Sequence, residues 1–471
     1  MTAPELTKAS TESRSNKTFG LLSMVLFSVS AVLVGDTVAS SAAMGVSGLT
    51  FWLVLGVLFF LPYGLVTAEL GAAWADEGGI YVWVREAFGP LWGTVTAWLY
   101  WVNVAFWAPS VFVLLVGTFQ SVFAPSMSRG QQMWAVLALI WVMVAVGVLP
   151  LRFSKWVPDV SAALKLIVLV GVGVGGVAYA ARHGLANSFA PQQWIPDLSQ
   201  SGAYLPIVIF SFMGFELMSA AGDEIKEPQR DVPRMAVLAG VMILFVYMFA
   251  TFGILAAVPV HEINIVTGIA DALRIVSATL MPGREALFNV LVVALLFTFL
   301  GNMITWSIGA NHSVAAAAAD GAMPKPFGRM NRWDSPWLAF VLMGAIASVL
   351  TVMNYTLFAR DESVFWSIFA LSSVVFLLPY LLMFPSLVAL RYRCPDRERP
   401  YRLPGGMLGA WIAVILCELG IVAALVLFFA AVPEGTPPAL FRIIVGSGMV
   451  LSLVVGFVMY VIVRPSASHA D

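Results

Sequence analysis

Long apolar stretches recur along almost the whole chain and are separated by short polar segments. A helix needs about 20 apolar residues to cross the hydrocarbon core of a bilayer. Two shorter stretches, 79–88 and 262–281, are amphipathic and are predicted to be interfacial helices. The remaining runs predict twelve transmembrane helices, at residues 20–46, 49–70, 91–123, 132–150, 157–181, 203–222, 234–258, 284–316, 336–355, 363–391, 408–431 and 440–463.

The composition supports an all-α integral membrane protein. Of 471 residues, 60% are hydrophobic and only 11% are charged, whereas soluble proteins carry about 25% charged residues. The net charge of −1 gives no basic field that would attract nucleic acid. Cys394 and Cys417 have no sensible disulfide partner, and no Cys/His cluster predicts a metal site. We therefore expect no cofactor and no metal.

Basic residues predict the orientation in the membrane, because cytoplasmic loops are enriched in Lys and Arg. With the N-terminus inside, 18 basic residues face the cytoplasm and 6 face outward, while Lys165 lies within a run. We therefore expect a multi-pass protein of the cell membrane with cytoplasmic tails at 1–19 and 464–471. The basic segment from Arg391 to Arg402 is interpreted as a stop-transfer loop, in preference to a site for phosphate or anionic lipid.

Two runs carry glycine and polar residues where a spanning helix should be apolar. The first run contains Gly35, Asp36 and Thr37, and the sixth contains Gly214 followed by Glu216. A broken helix exposes backbone groups that lipid cannot satisfy, so such breaks line wet cavities or bind ligands. Breaks in corresponding positions of two halves predict a transporter site, where free amides attract anions and free carbonyls attract cations. The alternative is that the glycines merely allow close helix packing.

Four motifs make the chain resemble the amino acid–polyamine–organocation (APC) superfamily of permeases along nearly its full length. They lie at 77–84 with 88–90, at 214–216 with 224–230 and 233, at 320–325 with 327, and at 379–380. The resemblance implies alternating access and a five-plus-five inverted repeat, about 20–181 and 203–391, with discontinuous helices 1 and 6. The transporter core would then cover 20–403, and helices 11 and 12 would occupy 404–463.

The resemblance also implies a substrate site between the first, third, sixth and eighth helices. Amides of the first break would hold a carboxylate, carbonyls near the sixth would hold an amine, and aromatic rings would form a gate. The implied substrate-binding residues are Leu33, Gly35, Asp36, Thr37, Asn103, Trp107, Phe210, Ser211, Met213, Gly214, Phe215, Trp306 and Tyr380.

Asp36 departs from the small residue that the family usually has at this position. Like charges about 4 Å apart repel by roughly 1 kcal/mol in water and by more in a dry site. Asp36 is therefore protonated, paired with Lys165 or a coupling ion, or bound to the amine of a substrate without a carboxylate. An alternative is that Asp36 caps the second half-helix. Amines and amino acids stay equal alternatives as substrates.

Ionisable groups inside the membrane are costly and therefore point to function. Glu216, Lys165 and Asp36 are the predicted proton-coupling residues, because Glu216 follows a break and relatives have a similar lysine in helix 5. The alternative for Lys165 is snorkelling to the cytoplasmic surface. Glu69 ends the second run and is interpreted as interfacial.

These features together predict a secondary active transporter that moves an amino acid or a related amine or polyamine across the cytoplasmic membrane. Exchange and proton symport are the leading coupling modes, with sodium as the alternative ion, and no ATPase motif is present. The rival functions are an exporter of organic cations or amines, a channel, and an intramembrane enzyme. The working unit is expected to be a monomer or a homodimer in the lipid bilayer.

Overall fold

A computed structural model describes residues 20–74, 79–150, 156–196, 205–217, 227–264, 267–281, 283, 285–357, 361–430, 432 and 437–463. Within these ranges the side chains of 36, 228, 229, 354, 357 and 361–367 lie outside the description. Parts of two motifs, residues 77–78 and 224–226, also lie outside the described residues, as do both predicted tails.

The described chain is helical and no strand occurs in it. The helices are α1 (Leu21–Val32), α2 (Val38–Ala43), α3 (Ser47–Ala73), α4 (Ile80–Phe88), α5 (Pro90–Phe123), α6 (Arg129–Val148), α7 (Trp156–His183), α8 (Leu205–Ser211), α9 (Pro228–Ala257), α10 (Gly268–Leu280), α11 (Glu285–Ala319), α12 (Trp337–Leu357), α13 (Asp361–Leu377), α14 (Tyr380–Arg393), α15 (Gly406–Ala430) and α16 (Pro438–Val463).

Nine helices of the described ranges are long and apolar enough to cross a membrane. They coincide with the second to fifth, seventh, eighth and tenth to twelfth predicted runs, within a few residues at each end. Three shorter apolar helices, Leu21–Val32, Leu205–Leu217 and Trp337–Met353, fall where the other three runs are predicted. The count of twelve spans and the inverted repeat stay predictions. The two amphipathic stretches form separate helices, α4 and α10.

Both predicted breaks occur, and the structure adds a third. The first run stops at Val32, passes through an extended Leu33 and a 3-10 turn at Gly35–Thr37, and resumes in α2. The sixth run stops at Ser211. The tenth run is interrupted between Leu377 and Tyr380 at Pro379, which lacks the amide hydrogen that a continuous helix requires. That third break was predicted as part of one continuous helix.

Helix α5 lies at the centre of the bundle and is the most deeply buried of the described spans. It packs against α4, α6, α11, α12, α13 and α16. Helix α16 lies at the periphery and is the least buried of these spans, so most of its apolar surface faces lipid. The arrangement places the interrupted helices α1, α8 and α13 around the central helices, where their broken ends meet away from lipid.

Candidate functional site

The backbone carbonyls freed at the end of α1 are bound by side chains from three other helices. Lys165 Nζ donates to the Ser30 oxygen, Trp306 Nε1 donates to the Ala31 oxygen at 2.9 Å, and Tyr247 Oη donates to the Val32 oxygen at 2.7 Å. The same tyrosine hydroxyl accepts from the Val34 amide at 2.9 Å. These contacts explain how a non-helical segment is tolerated at membrane depth.

The second break depends on the backbone of Gly214, whose φ of +117° is rarely adopted by other residues. A Cβ atom at this position would lie 2.8 Å from the ring of Trp306, so space also requires glycine. The amides of Gly214 and Phe215 both donate to Tyr63 Oη at 3.1 Å. By contrast, a Cβ at Gly35 would make only ordinary contacts of 3.4 Å. Close packing therefore explains Gly214 better than Gly35.

Glu216 follows the second break and is bound by three tyrosine hydroxyls. Tyr100 Oη donates to its Oε1 at 2.8 Å and Tyr380 Oη donates at 2.6 Å, while Tyr63 Oη donates to Oε2. The side chain is buried, with 1% of its surface exposed. The backbone amide of Glu216 also interacts with this carboxyl group, so its four partners are all neutral donors. This carboxyl group is well placed to bind a cation.

An aromatic cage lies beside this glutamate. We define it as Trp107, Phe210, Trp306, Phe369 and Phe376. The ring centroids of Trp107 lie 5.4 Å from Phe210 and 5.5 Å from Trp306, both edge to face. Phe376 is 5.2 Å from Trp306 and 5.5 Å from Phe210, and Phe369 is 5.1 Å from Phe210. The faces of such rings attract cations.

Tyr100 and Tyr380 join the cage to Glu216. The Tyr380 ring lies 5.1 Å from Phe376, and the Tyr100 ring lies 6.1 Å from Trp306. Both hydroxyls donate to Glu216. A ligand between the rings would therefore lie within one side chain of the buried carboxyl group.

Four residues on the helices that carry the cage have buried polar groups without a hydrogen-bond partner in the described structure. The groups are the hydroxyls of Thr96 and Ser373, both amide atoms of Asn103 and the indole nitrogen of Trp107. An unpaired buried polar group costs about 1–3 kcal/mol. Asn103 and Trp107 are four residues apart on α5 and thus share one helical face. Such groups are suited to hydrogen bonding with a ligand.

Lys165 lies on α7, where 2% of its surface is exposed. Besides the Ser30 oxygen, Nζ binds Asn302 Oδ1 of α11 at 2.8 Å. The alternative in which this lysine snorkels to the surface is wrong, because its amino group is held inside the bundle between α1 and α11. It links the first break to α11, which also carries Trp306. Its role in coupling stays a prediction.

Glu69, which is predicted to be interfacial, lies near the end of α3. Its side chain is fully buried and binds two nitrogens of Arg391, at 2.9 and 2.5 Å. The Leu403 amide donates to the same carboxylate at 2.7 Å, and Arg399 Nε lies 3.5 Å away. The basic segment after α14 therefore folds onto the end of α3. Glu69 forms a structural ion cluster away from the cage.

The structure brings several predicted site residues together and separates others. Asn103, Trp107, Phe210, Trp306 and Tyr380 gather around the cage, and Gly214 lies under Trp306. Phe215 lies outside the cage, with its ring 5.0 Å from Phe60. The remaining predicted residues are buried at or beside the two breaks: Leu33, Gly35, Thr37, Ser211 and Met213. The side chain of Asp36 lies outside the described part of the structure.

Sequence reasoning missed six residues of the site, namely Tyr63, Tyr100, Tyr247, Phe369, Ser373 and Phe376. Tyr63, Tyr100 and Tyr247 each place a hydroxyl inside an apolar helix, and buried tyrosines usually hydrogen-bond. That signal could have identified them as partners of a buried polar group. Phe376 and Ser373 lie one and two turns before Tyr380, so they share its helical face across the break. The described residues contain no group of three His, Cys, Asp or Glu side chains that could hold a metal.

A family profile and three known proteins match most of this chain. The profile of the amino acid permease family matches residues 19–460. The probable agmatine/putrescine antiporter AguD of Lactococcus lactis is 32% identical over 421 residues, which cover 88% of each chain. An uncharacterized transporter of Legionella pneumophila is 29% identical over 418 residues, or 87% of this chain and 88% of its own. Polyamine transporter PUT1 of Oryza sativa is 24% identical over 408 residues, or 86% and 72%.

The matched profile covers nearly the whole chain, and it agrees with the resemblance that the sequence motifs indicate. The first of these relatives exceeds 30% identity over most of both chains. The family and the named relatives are transporters rather than enzymes. This multi-pass membrane protein therefore belongs to the amino acid permease family of the APC superfamily.

Proposed function

We propose that this chain is a secondary active transporter that exchanges small organic amines across the cytoplasmic membrane. The observation that carries the proposal is the position of Glu216, a buried carboxyl group bound by neutral donors, which Tyr100 and Tyr380 join to the aromatic cage. The chemistry of such a site favours an ammonium or guanidinium group over a neutral or anionic one. Diamines and agmatine-like compounds combine such groups with a short apolar chain.

The cage walls support an amine rather than a zwitterionic amino acid. The five cage side chains are aromatic, and the polar groups beside them belong to Asn103, Trp107 and Ser373. None of these seven residues is basic, so they offer no cation for a substrate carboxylate. The amino group of Lys165 is already bound by the Ser30 oxygen and Asn302. Desolvating a carboxylate here without a cationic partner would cost several kcal/mol.

The names of two relatives point in the same direction. One is described as a probable agmatine/putrescine antiporter and another as a polyamine transporter. Exchange also fits the charge of the site. The incoming amine would replace the outgoing amine as the charge partner of the Glu216 carboxyl group. An empty site would leave a buried charge or require a proton. We therefore propose exchange as the main mode, with a proton as the alternative partner and Lys165 as the coupling residue.

Reconstituted proteoliposomes test the substrate class. Vesicles loaded with unlabelled putrescine or agmatine are expected to take up the labelled amine, and empty vesicles to take up much less. Both amines should compete, whereas neutral amino acids should not. If neutral amino acids exchange and the amines neither transport nor compete, the amine proposal is wrong.

A matched pair of variants tests the site. Glu216→Gln removes the carboxylate that would bind the amine, and truncating one partner of a buried charge pair costs about 2–5 kcal/mol. Amine affinity should therefore fall at least about 30-fold. Glu418→Gln changes a second glutamate within a span, on α15 outside the cage, and should leave affinity unchanged. Equal loss in both variants would remove Glu216 from the site.

A further inference from the structure

A second binding site lies on the lipid-facing side of the bundle, between α3 and α9. There a groove of about 210 Å³ runs along both helices. Two glycines that lack side chains, Gly64 and Gly240, open the groove, whereas the side chain of Leu244 packs against Gly56 at its end. Nothing lies within 4 Å of a Cβ placed at Gly64. We call this feature the α3–α9 groove; Val57 and Val241 on its rim are more than half exposed.

The dimensions of the α3–α9 groove match one leaflet of a bilayer. Its lining on α3 extends from Gly56 to Ala68, which spans about 18 Å of helix. The hydrocarbon core is about 30 Å thick, so the groove crosses roughly half of it. A slot left by missing side chains accepts a hydrocarbon chain. It is too narrow for a helix, which is about 10–12 Å across. The groove walls are apolar, as an acyl chain requires.

One end of the groove carries positive charge. Tyr401 lines that end, in the basic segment that folds onto α3 through Arg391 and Glu69. The exposed residue Arg402 follows Tyr401 directly, and the exposed residue Arg234 follows Pro233, another lining residue. This is the end that the distribution of basic residues predicts to face the cytoplasm. Basic residues beside such a surface attract anionic headgroups.

The floor of the groove is part of the second helix break. The buried rings of Phe60 and Phe215 line it and lie 5.0 Å apart. The Phe215 amide donates to Tyr63 Oη, which in turn donates to Glu216. An occupant of the groove would therefore pack against a residue that directly precedes the proposed cation-binding carboxyl group.

We propose that the α3–α9 groove binds one acyl chain of an anionic phospholipid, with its headgroup beside Arg402 and Arg234. The bound chain packs against Phe215 and holds the second break in the conformation described above. Transport therefore depends on anionic lipid. This site lies outside the cage, and its existence does not rest on the identity of the transported substrate.

Filling the groove tests the proposal. Gly240→Leu adds a side chain where a Cβ makes only ordinary contacts, with Phe215 at 3.6 Å, and leucine is the better helix former. Gly171→Leu is the matched control, because it adds the same side chain to α7 in open space. Native mass spectrometry of the purified full chain measures how much phosphatidylglycerol each protein retains. The wild type and Gly171→Leu should retain one molecule, and Gly240→Leu should retain at least about 10-fold less.

Removing the positive charges at the charged end, or mouth, of the α3–α9 groove tests whether the headgroup binds there. The double variant Arg234→Gln/Arg402→Gln should weaken retention of phosphatidylglycerol about 30-fold, since each basic residue near an anionic surface contributes a factor of about 5. Retention of phosphatidylcholine should not change. Wild-type exchange should be several-fold faster in vesicles with about one fifth phosphatidylglycerol than in pure phosphatidylcholine. Gly240→Leu should lose that response.

Two results would overturn the proposal. The first is equal lipid retention by Gly240→Leu and Gly171→Leu, and the second is equal retention of both lipids by the wild type. Thermal stabilisation by the transported substrate is measured on every variant in detergent. Stabilisation that persists in Gly240→Leu shows that the variant is folded and that the cage is intact. Failure of the lipid site is thereby separated from failure of the proposed function.

Discussion

At the scale of single residues, one tyrosine connects the second break to the proposed cation site. Tyr63 Oη accepts from the amides of Gly214 and Phe215 and donates to Glu216. Tyr380 Oη makes one of the other bonds to the same carboxyl group. The two hydroxyls therefore differ in how many buried groups depend on them, although both residues are buried tyrosines of the same cluster.

Removing these hydroxyls should have unequal effects. Tyr63→Phe leaves two buried amides unpaired, each at a cost of about 1–3 kcal/mol, so about 3 kcal/mol or more is lost. Tyr380→Phe removes one bond to a carboxyl group that keeps two others, and about 1–2 kcal/mol is expected. Thermal unfolding of the ligand-free protein compares the two variants. Equal destabilisation would mean that Tyr63 does not support the break.

The cage makes a separate prediction at Trp306. Trp306→Phe keeps an aromatic face but loses the bond to the Ala31 oxygen, whereas Trp306→Leu loses both. A desolvated cation–π contact is worth about 1–2 kcal/mol, so leucine should bind amines about 5- to 30-fold more weakly than phenylalanine does. Trp101→Leu is the control, because Trp101 is equally buried and bonds Asn311 outside the cage. Titration calorimetry should show unchanged amine affinity for that control.

At the scale of helices, the sequence predicts where the chain crosses the membrane better than where it bends. Apolar runs locate the spans because lipid demands apolar side chains. Gly35 and Gly214 mark two breaks, because glycine and polar residues interrupt an apolar pattern. The break at Pro379 was missed, since its neighbours Leu378 and Tyr380 keep the run apolar. Partners such as Tyr63 with Glu216 lie 153 residues apart, and only the packing of helices brings them together.

Packing also determines which groups surround Glu69. Nothing local in the sequence shows that the basic segment after α14 folds back onto α3. Arg391, in the last turn of α14, contributes two hydrogen bonds to Glu69, and both side chains are buried, with 7% and 0% exposed. The buried carboxylate at the end of α3 is thus paired with a basic segment. From its basic residues alone, that segment is interpreted as a stop-transfer loop.

The ion cluster should stabilise the contact between α3 and the segment after α14. Glu69→Gln leaves buried guanidinium groups without their charge partner, and breaking a buried pair costs about 3–5 kcal/mol. Glu86→Gln removes the partly exposed pair with Arg85, for which about 0–1 kcal/mol is expected. Tryptophan fluorescence during thermal unfolding should show a clearly lower Tm for the first variant only. Matching Tm values would mean that the buried cluster contributes no more than a surface pair.

At the scale of the whole molecule, Lys165 links the first broken helix, α1, to α11. Its amino group binds a carbonyl of α1 and the side chain of Asn302, and a second residue of α11, Trp306, binds the adjacent carbonyl. Movement of α1 between two transport states would have to break or carry along both contacts. The lysine is therefore positioned to sense which state the first break adopts.

Lys165→Met should uncouple transport from the proton gradient. Loss of the amino group leaves the Ser30 oxygen and Asn302 without this donor, so the energetic link between protonation and the first break disappears. Exchange of amine for amine should persist, whereas a pH gradient should no longer drive accumulation. Lys165→Arg keeps a donor and serves as the comparison. A methionine variant that still accumulates substrate against its gradient would exclude this lysine from coupling.

The orientation of the bundle can be tested with its two native cysteines. Cys394 is half-buried at the end of α14, in the basic segment predicted to face the cytoplasm, while Cys417 is buried within α15. A membrane-impermeant maleimide needs an accessible thiol, so it should label Cys394 in inside-out vesicles and not in intact cells. Ser126→Cys in a Cys394→Ser background places a thiol in the exposed turn between α5 and α6 and should label from the opposite side. Basic residues determine topology by their excess across all loops. The reverse labelling pattern would therefore place three features on the outside together: the tails, the ion cluster and the charged mouth of the α3–α9 groove.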